Sequence, residues 1–366
     1  MRRRLLSSLL LLLLAVGPAR AAEYRIETVA EGLAFPWCIA FLPDGDPLVT
    51  LRGGELLRLA GDGAVPVRYG GVPEPYVRSQ GGLFDVLPDP AFAENRLVYL
   101  SYAHGTPEAN ATRVVRARLG ADRLEDVTPI LTVAPTKDTP VHYGGKLAFL
   151  PDGTLLVTTG DGFDYREAAQ RRTSLLGKTL RIHTDGSIPE DNPFADDPAA
   201  EPALWTFGHR NPQGLAVGDD GTVWLHEHGP RGGDELNRLE PGTNYGWPVA
   251  TFGLDYSGQR ITPYTEYPGM EPPRFQWTPS IAPSGLAWYD GDAFPAWRGD
   301  LFLGALAAGG VRRVDLEDGE VVAEETVFPE LEGRRIRDVR TGPDGALWVL
   351  VDAEDGAVLR IVPAGD

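Results

Sequence analysis

Residues 150–157 read Leu150-Pro151-Asp152-Gly153-Thr154-Leu155-Leu156-Val157, a Pro/Asp/Gly turn that runs straight into an apolar stretch. Asp-Gly reverses the chain between adjacent antiparallel strands. The apolar stretch is too short for a helix and too unbroken for a strand washed by solvent on one face. A second strand of the form apolar-x-Arg-apolar follows, here Thr179-Leu180-Arg181-Ile182. The unit recurs on both sides. Its turns are Leu42-Pro43-Asp44-Gly45, Leu87-Pro88-Asp89-Pro90, Val217-Gly218-Asp219-Asp220-Gly221, Tyr289-Asp290-Gly291 and Gly342-Pro343-Asp344-Gly345, which makes six copies starting at 42, 87, 150, 217, 289 and 341. One small sheet cannot bury both of its faces, but six packed radially can, and their edges are protected as well. The pattern predicts an all-β, six-bladed β-propeller of four-stranded antiparallel sheets over residues 22–366. The strand around Tyr24–Val29 would complete the last blade and close the ring. Two β-sandwiches would not produce six copies of one pattern. Three long Pro/Gly/Asp-rich connections, 160–178, 183–205 and 241–285, are expected to gather on one face around the central channel and form a site.

Composition agrees and narrows the partners. The 366 residues include 44 Gly and 32 Pro spread along the chain, which suits many short elements and argues against a helical bundle. Asp and Glu outnumber Lys and Arg 52 to 34, for a net charge of −18. Phosphate backbones and anionic membrane surfaces would repel such a chain, so neither nucleic-acid binding nor stable membrane association is expected.

The N-terminus reads as a targeting segment. Met1-Arg2-Arg3-Arg4 precedes a leucine-rich run from Leu5 to Val16, and Pro18-Ala19-Arg20-Ala21 supplies a small-x-small site. This is the pattern of a secretory signal peptide over residues 1–21, cleaved after Ala21 or Ala22, which places the protein in the periplasm or outside the cell. The apolar run is well short of the ~20 residues needed to span a bilayer. A single cysteine, Cys38, allows no internal disulfide, and its apolar surroundings mark it as buried filler.

Few residues carry obvious chemistry. His142, in His142-Tyr143-Gly144-Gly145, lies directly before an expected inner strand and is placed to act as a general base at the channel mouth; a hydrogen-bonded loop histidine is the plainer reading. Arg210 and Asn211, in Gly208-His209-Arg210-Asn211-Pro212, are adjacent fixed donors suited to an oxyanion or quinone oxygen. His226 and His228 share one strand face, but no third nitrogen or sulfur ligand for zinc lies near them. Glu235 and the carbonyls of the preceding Gly/Pro loop, with Asn244-Tyr245-Gly246-Trp247, offer oxygen ligands of the kind Ca²⁺ takes; a solvated acidic loop is the alternative. Arg335 and Arg337 point the same way on a strand, and two guanidinium forks on one face suit a ligand with several carboxylates. Dinucleotide, P-loop and Gly-x-Ser-x-Gly fingerprints are missing.

Six stretches in order, Gln80-Gly81-Gly82-Leu83-Phe84-Asp85-Val86, His142–Gly145, Gly208–Gly214, Glu227–Glu235, Asn244–Pro248 and Arg335–Val339, resemble the PQQ-dependent soluble glucose/aldose sugar dehydrogenases, most nearly their bacterial periplasmic aldose branch. The resemblance implies oxidation of an aldose at C1 to a lactone, with electrons passed through PQQ to an external acceptor. It implies His142 as the base and Arg210 and Asn211 at the quinone oxygen. Gln80, Tyr256, Arg335 and Arg337 fall at positions that contact PQQ. The carbonyls of Gly229 and Pro230 fall where calcium is held at the cofactor, and Glu235 and Tyr245 match structural calcium ligands. Two departures imply a broad aldose or alcohol preference and weaker cofactor contacts. The glucose-specific branch has an acidic residue where this chain has Tyr143, and a PQQ-binding lysine where Gly304-Ala305-Leu306-Ala307-Ala308 offers none. A calcium-dependent lactonase-type propeller and a non-catalytic binding propeller are the competing readings.

Overall fold

Each of the six turns reverses the chain, and each joins the first and second strands of a four-stranded antiparallel sheet. The computed structural model describes residues 23–61 and 65–365; the expected leader lies outside them. In the third turn, Leu150 N–H donates to the Thr154 carbonyl and Gly153 N–H to the Leu150 carbonyl, with Gly153 at φ 81°, a conformation that a side chain would penalise. The turn therefore lies inside the blade. The structural repeat begins one strand upstream of the turn, at Pro36, Leu83, Gly144, Pro212, Pro283 and Ile336.

Six such sheets make a six-bladed β-propeller. The N-terminal strand, Tyr24–Leu33, pairs with the C-terminal strand, Gly356–Pro363, as the outermost strand of blade six. This is the closure expected around Tyr24–Val29. The core is a series of clusters between neighbouring blades. Trp37 of blade one, Leu83 and Phe84 of blade two and Tyr143 before blade three pack together, as do Tyr99, Leu147 and Leu180 of blades two and three. Cys38 is buried in the first of these clusters.

One regularity was not legible in the sequence. In all six innermost strands the pairing register slips near the start of the strand, as between Gly144 and Leu147 or between Ile336 and Asp338. A bulge re-aims the side chains around it. These bulges all lie at the channel end where the inner strands begin, so they ring one mouth.

Strand alternation corrects one expectation. A connection after the third strand of a blade starts on the face opposite this mouth. Residues 183–205 stay there, with Asp191, Pro193 and Trp205 beside the turns at Pro151 and Gly221. They do not join the site. The 241–285 segment starts on the same far face but climbs along blade three, where Asn244 bridges to Phe207, and brings Trp247 and Tyr256 to the mouth. Residues 160–178 connect the second and third strands of blade three and belong to the mouth directly.

Candidate functional site

The mouth holds two adjoining cavities. One, of about 240 Å³, is lined by Trp37, Arg52, Gln80, Tyr143, Asn211, Arg335 and Arg337, among others. The other, of about 310 Å³, is lined by His142, Phe163, Arg210, Pro230, Trp247 and Tyr256, among others. The consecutive pairs His142-Tyr143 and Arg210-Asn211 each contribute one residue to either side.

His142 is held from several directions. Its main-chain N–H donates to Gln80 Oε1 at 2.8 Å. Its φ is 53°, unusual for a non-glycine residue and typical of strained functional positions. Behind it, a Cβ on Gly160 would stand 2.3 Å from the His142 carbonyl oxygen, so only glycine fits there. The ring Nδ1 lies 2.7 Å from Asp161 Oδ1. Asp161 is pinned in turn by the Phe163 N–H at 2.8 Å and by Trp247 Nε1 at 2.8 Å. With Nδ1–H donated to Asp161, Nε2 is the basic nitrogen. Burial lowers the imidazole pKa below its usual 6.5, against the opposing pull of Asp161. The ring is thus neutral and able to accept a proton at neutral pH. Phe163 meets it edge-on at 5.2 Å and stacks with Tyr256 at 6.1 Å.

Arg210 is equally fixed. Its N–H donates to Glu227 Oε2, and its Nη1 donates to the carbonyls of His228 (3.0 Å) and Gly229 (2.7 Å). Its Nη2 reaches Tyr256 Oη at 3.3 Å, and its guanidinium lies over the Trp247 ring. Arg335 and Arg337 share one carboxylate, with each Nη2 3.0 Å from Asp352 Oδ2. Burial lowers the Arg337 pKa, although Asp352 opposes the shift.

Of the residues named from the sequence, Gln80, Asn211, Arg335 and Arg337 line one cavity, and His142, Arg210, Pro230 and Tyr256 the other. Tyr256 is 60% exposed at the rim. Tyr245 is turned inward: its hydroxyl donates to the Arg238 carbonyl and accepts from Glu240 N–H, and its ring stacks on His209. A cation there would be met by its main-chain carbonyl. Glu235 pairs across the strands with Glu227. Burial raises its carboxyl pKa well above the usual range, and the Glu227 charge adds to the shift. His226 and His228 each lie 2.9 Å from a main-chain carbonyl of blade five, Gly285 and Pro283, so their ring contacts tie blades together. Burial lowers the His226 pKa to about 4.

The sequence reading missed Asp161, Trp247 as its anchor, Asp352 and Asn237. Asp161 had one available signal, since a hairpin returning from His142 across the Asp152-Gly153 turn ends at Gly160-Asp161.

The donor sets fit the groups the resemblance implies. The first cavity combines guanidinium forks with the amides of Gln80 and Asn211, and Arg337 Nε is buried without a partner. That set answers carboxylate and carbonyl oxygens. Near Glu235, two carboxylates converge with Asn237, whose Oδ1 is buried without a partner. An orphaned amide oxygen beside acidic oxygens suits a hard cation. Among the described residues no group of three or more His, Cys, Asp and Glu forms a metal cage, so carbonyl and amide oxygens would complete any such site.

The aldose sugar dehydrogenase YliI of Escherichia coli is 40% identical over 94% of this chain and 94% of its own length. A crystal structure of a glucose dehydrogenase superposes with a TM-score of 0.89 at 44% identity, covering 93% of this chain and all of the other. The PQQ-bound aldose sugar dehydrogenase of Streptomyces coelicolor superposes with a TM-score of 0.77 at 29% identity, over 94% of this chain and all of that one. Residues 33–360, nearly the whole ring, match the glucose/sorbosone dehydrogenase family, and the chain belongs to that family.

Proposed function

We propose that this chain is an exported PQQ- and calcium-dependent aldose sugar dehydrogenase that converts an aldose at C1 to its lactone and hands the electrons to an external acceptor. The observation that carries this reading is His142, oriented by Asp161 and kept neutral by burial, at the junction of a guanidinium-lined cavity and an open mouth. Nε2 of His142 takes the proton of the C1 hydroxyl as the C–H bond breaks. PQQ, when bound, supplies the two-electron acceptor for the hydride. Arg210 and Asn211 are placed to favour negative charge growing on an oxygen at the boundary of the two cavities. Arg335, Arg337 and Gln80 would hold the cofactor. The Gly229 and Pro230 carbonyls would face one calcium ion, and Glu235, Asn237 and the Tyr245 carbonyl another. The Gly229 carbonyl already accepts from Arg210, so an ion there would share that oxygen with the guanidinium.

Tyr143 bears on specificity. Its hydroxyl donates to Asn110 Oδ1 at 2.7 Å, and Lys137 Nζ lies 3.5 Å from the centre of its ring. It offers the cavity an aromatic face and no carboxylate, which supports a broad aldose preference.

The lactonase reading needs carboxylates free to hold an ion on the axis. The axial Asp85 and Asp338 are occupied by Lys146 and Arg340, with Lys146 Nζ 3.2 Å and Arg340 Nε 3.2 Å from Asp338.

Titration of the purified protein with PQQ, with and without a calcium chelator, tests the proposal together with dye-linked oxidation of a panel of aldoses and alcohols. Saturable binding that the chelator weakens, with aldose turnover, is expected. His142→Ala should retain PQQ binding and lose turnover by roughly 10²–10⁴-fold. No binding and no oxidation across the panel would sink the reading.

A further inference from the structure

The cavity that carries Arg335 and Arg337 has a third guanidinium. Arg52 follows directly on the second strand of blade one, Pro47–Leu51. Its main chain is clasped on both sides: its N–H donates to the Phe35 carbonyl and its carbonyl accepts from Leu83 N–H, each at 3.0 Å. A Cβ on Gly82 would come within 2.5 Å of Arg52 Cγ, so the arginine stem lies flush on that glycine. The guanidinium sits 4.3 Å above the Phe35 ring and lines the cavity. The path of the side chain is therefore set before any ligand arrives.

Its charge has no local answer. Arg335 and Arg337 divide a single carboxylate, Asp352. Among the described residues the Arg52 guanidinium has neither a carboxylate partner nor a hydrogen bond. The chain has 52 acidic residues against 34 basic, so a lone arginine in a cavity does not reflect a shortage of carboxylates. Three guanidinium groups facing one carboxylate leave the cavity with excess positive charge. Arg337 registers it, since the charges of Arg335 and Arg52 add to burial in lowering its pKa. Like charges held this close destabilise the empty site and favour an anion that neutralises them.

We propose that Arg52 is a third carboxylate-binding cation of this cavity, so that the cavity is built for a planar ligand bearing up to three carboxylates. The idea rests on the quinone reading above and adds a residue to it. The cation–π contact with Phe35 keeps the planar fork oriented, which a flexible lysine at this position would not do.

The test is an equilibrium titration of wild type, Arg52→Gln, Arg52→Lys and Arg335→Gln with PQQ at low and high salt. Quenching of tryptophan fluorescence gives the readout, because Trp37 lines the same cavity. Benzene-1,3,5-tricarboxylate serves as a second, redox-inert probe. Arg52→Gln is expected to weaken PQQ binding about ten- to a hundred-fold and to lose part of its salt dependence, with Arg52→Lys between it and wild type. The ligand-free Arg52→Gln protein should melt within about 2 °C of wild type, because no ion pair is lost and relief of the repulsion from Arg335 and Arg337 offsets the lost contact with Phe35. If Arg52→Gln binds PQQ as tightly as wild type while Arg335→Gln does not, the proposal is wrong. If wild type fails to bind PQQ, the quinone reading falls, and the tricarboxylate probe decides on Arg52. Binding by wild type that is lost in Arg52→Gln upholds the anion site, and equal or absent binding overturns it.

Discussion

At the scale of single residues the site works by restraint. His142 alone is an ordinary loop imidazole. What makes it a base is that Asp161 takes its Nδ1–H at 2.7 Å, while Trp247 and the Phe163 N–H hold Asp161 still. Asp161 is thus a positioning residue. Asp161→Asn keeps the shape and removes the charge, so it should lower kcat by roughly 10²–10⁴-fold while leaving PQQ binding in place. The pH profile separates this role from a structural one. Burial lowers the His142 pKa and Asp161 raises it, so turnover of the wild type should fall on the acid side only below the ordinary histidine value of 6.5. In Asp161→Asn the acid limb should move to still lower pH. An acid limb that stays in place would show that Asp161 does not act through the imidazole.

Among the elements, the inner strands do the most for the site. Each begins with a bulge at the same mouth, and the residues just before or within it include His142, Asn211, Arg335 and Arg337. Arg337 is the extra residue between Ile336 and Asp338. The bulge before Leu147 goes with the positive φ of His142, Gly144 and Gly145, and it depends on the close approach of Gly160. Gly160→Ala would drive a methyl group into the His142 carbonyl, whose own backbone must then move. A shift of about 1 Å at a reacting group costs up to ~10²-fold in rate. Gly160→Ala should therefore lose at least ten-fold in kcat while the fold, followed by circular dichroism, is kept. Unchanged turnover would mean that this strand start is not what aims the base.

For the molecule as a whole, ring closure is the controlling feature. The first described strand is the last one the ring needs, joined to the C-terminal strand by its ladder and by the Arg360–Glu27 ion pair at 3.0 Å, and to the outer strand of blade five by Tyr24 Oη donating to Glu330 at 2.6 Å. The ladder buries Leu33 and partly buries Ile26 and Val29. A chain starting at Ala34 would expose the edge of blade six and lose apolar burial worth on the order of 5 kcal/mol. Its melting temperature should drop by about 5–10 °C. A melting curve that matches the full-length protein would show that closure relies on inter-blade packing alone. The axial Lys146 and Arg340, paired with Asp85 and Asp338, draw blades two, three and six together at the centre. They also fill the channel below Trp37, over which Lys146 lies at 4.3 Å.

The sequence by itself determined the blade count, the antiparallel sheets and the closing strand, because turn chemistry and apolar runs are local properties that repeat. It also named most of the residues at the mouth, since short motifs beside strand starts carry their position with them. Only the tertiary structure decided which partners those residues have. Asp161 lies 19 residues from His142, Asp352 lies 15 to 17 from its two arginines and Asn237 lies 10 from Glu227, and each of these pairs meets only because antiparallel strands bring them together. Strand direction set the face on which each long connection starts, and packing decided where it goes: 183–205 and 241–285 are both proline-rich and both follow the third strand of a blade, yet one remains on the far face and the other climbs to the site. Arg52 was silent in the sequence for the same reason. An arginine without a carboxylate is a fact about its surroundings, and those are assembled from blades one, two and six.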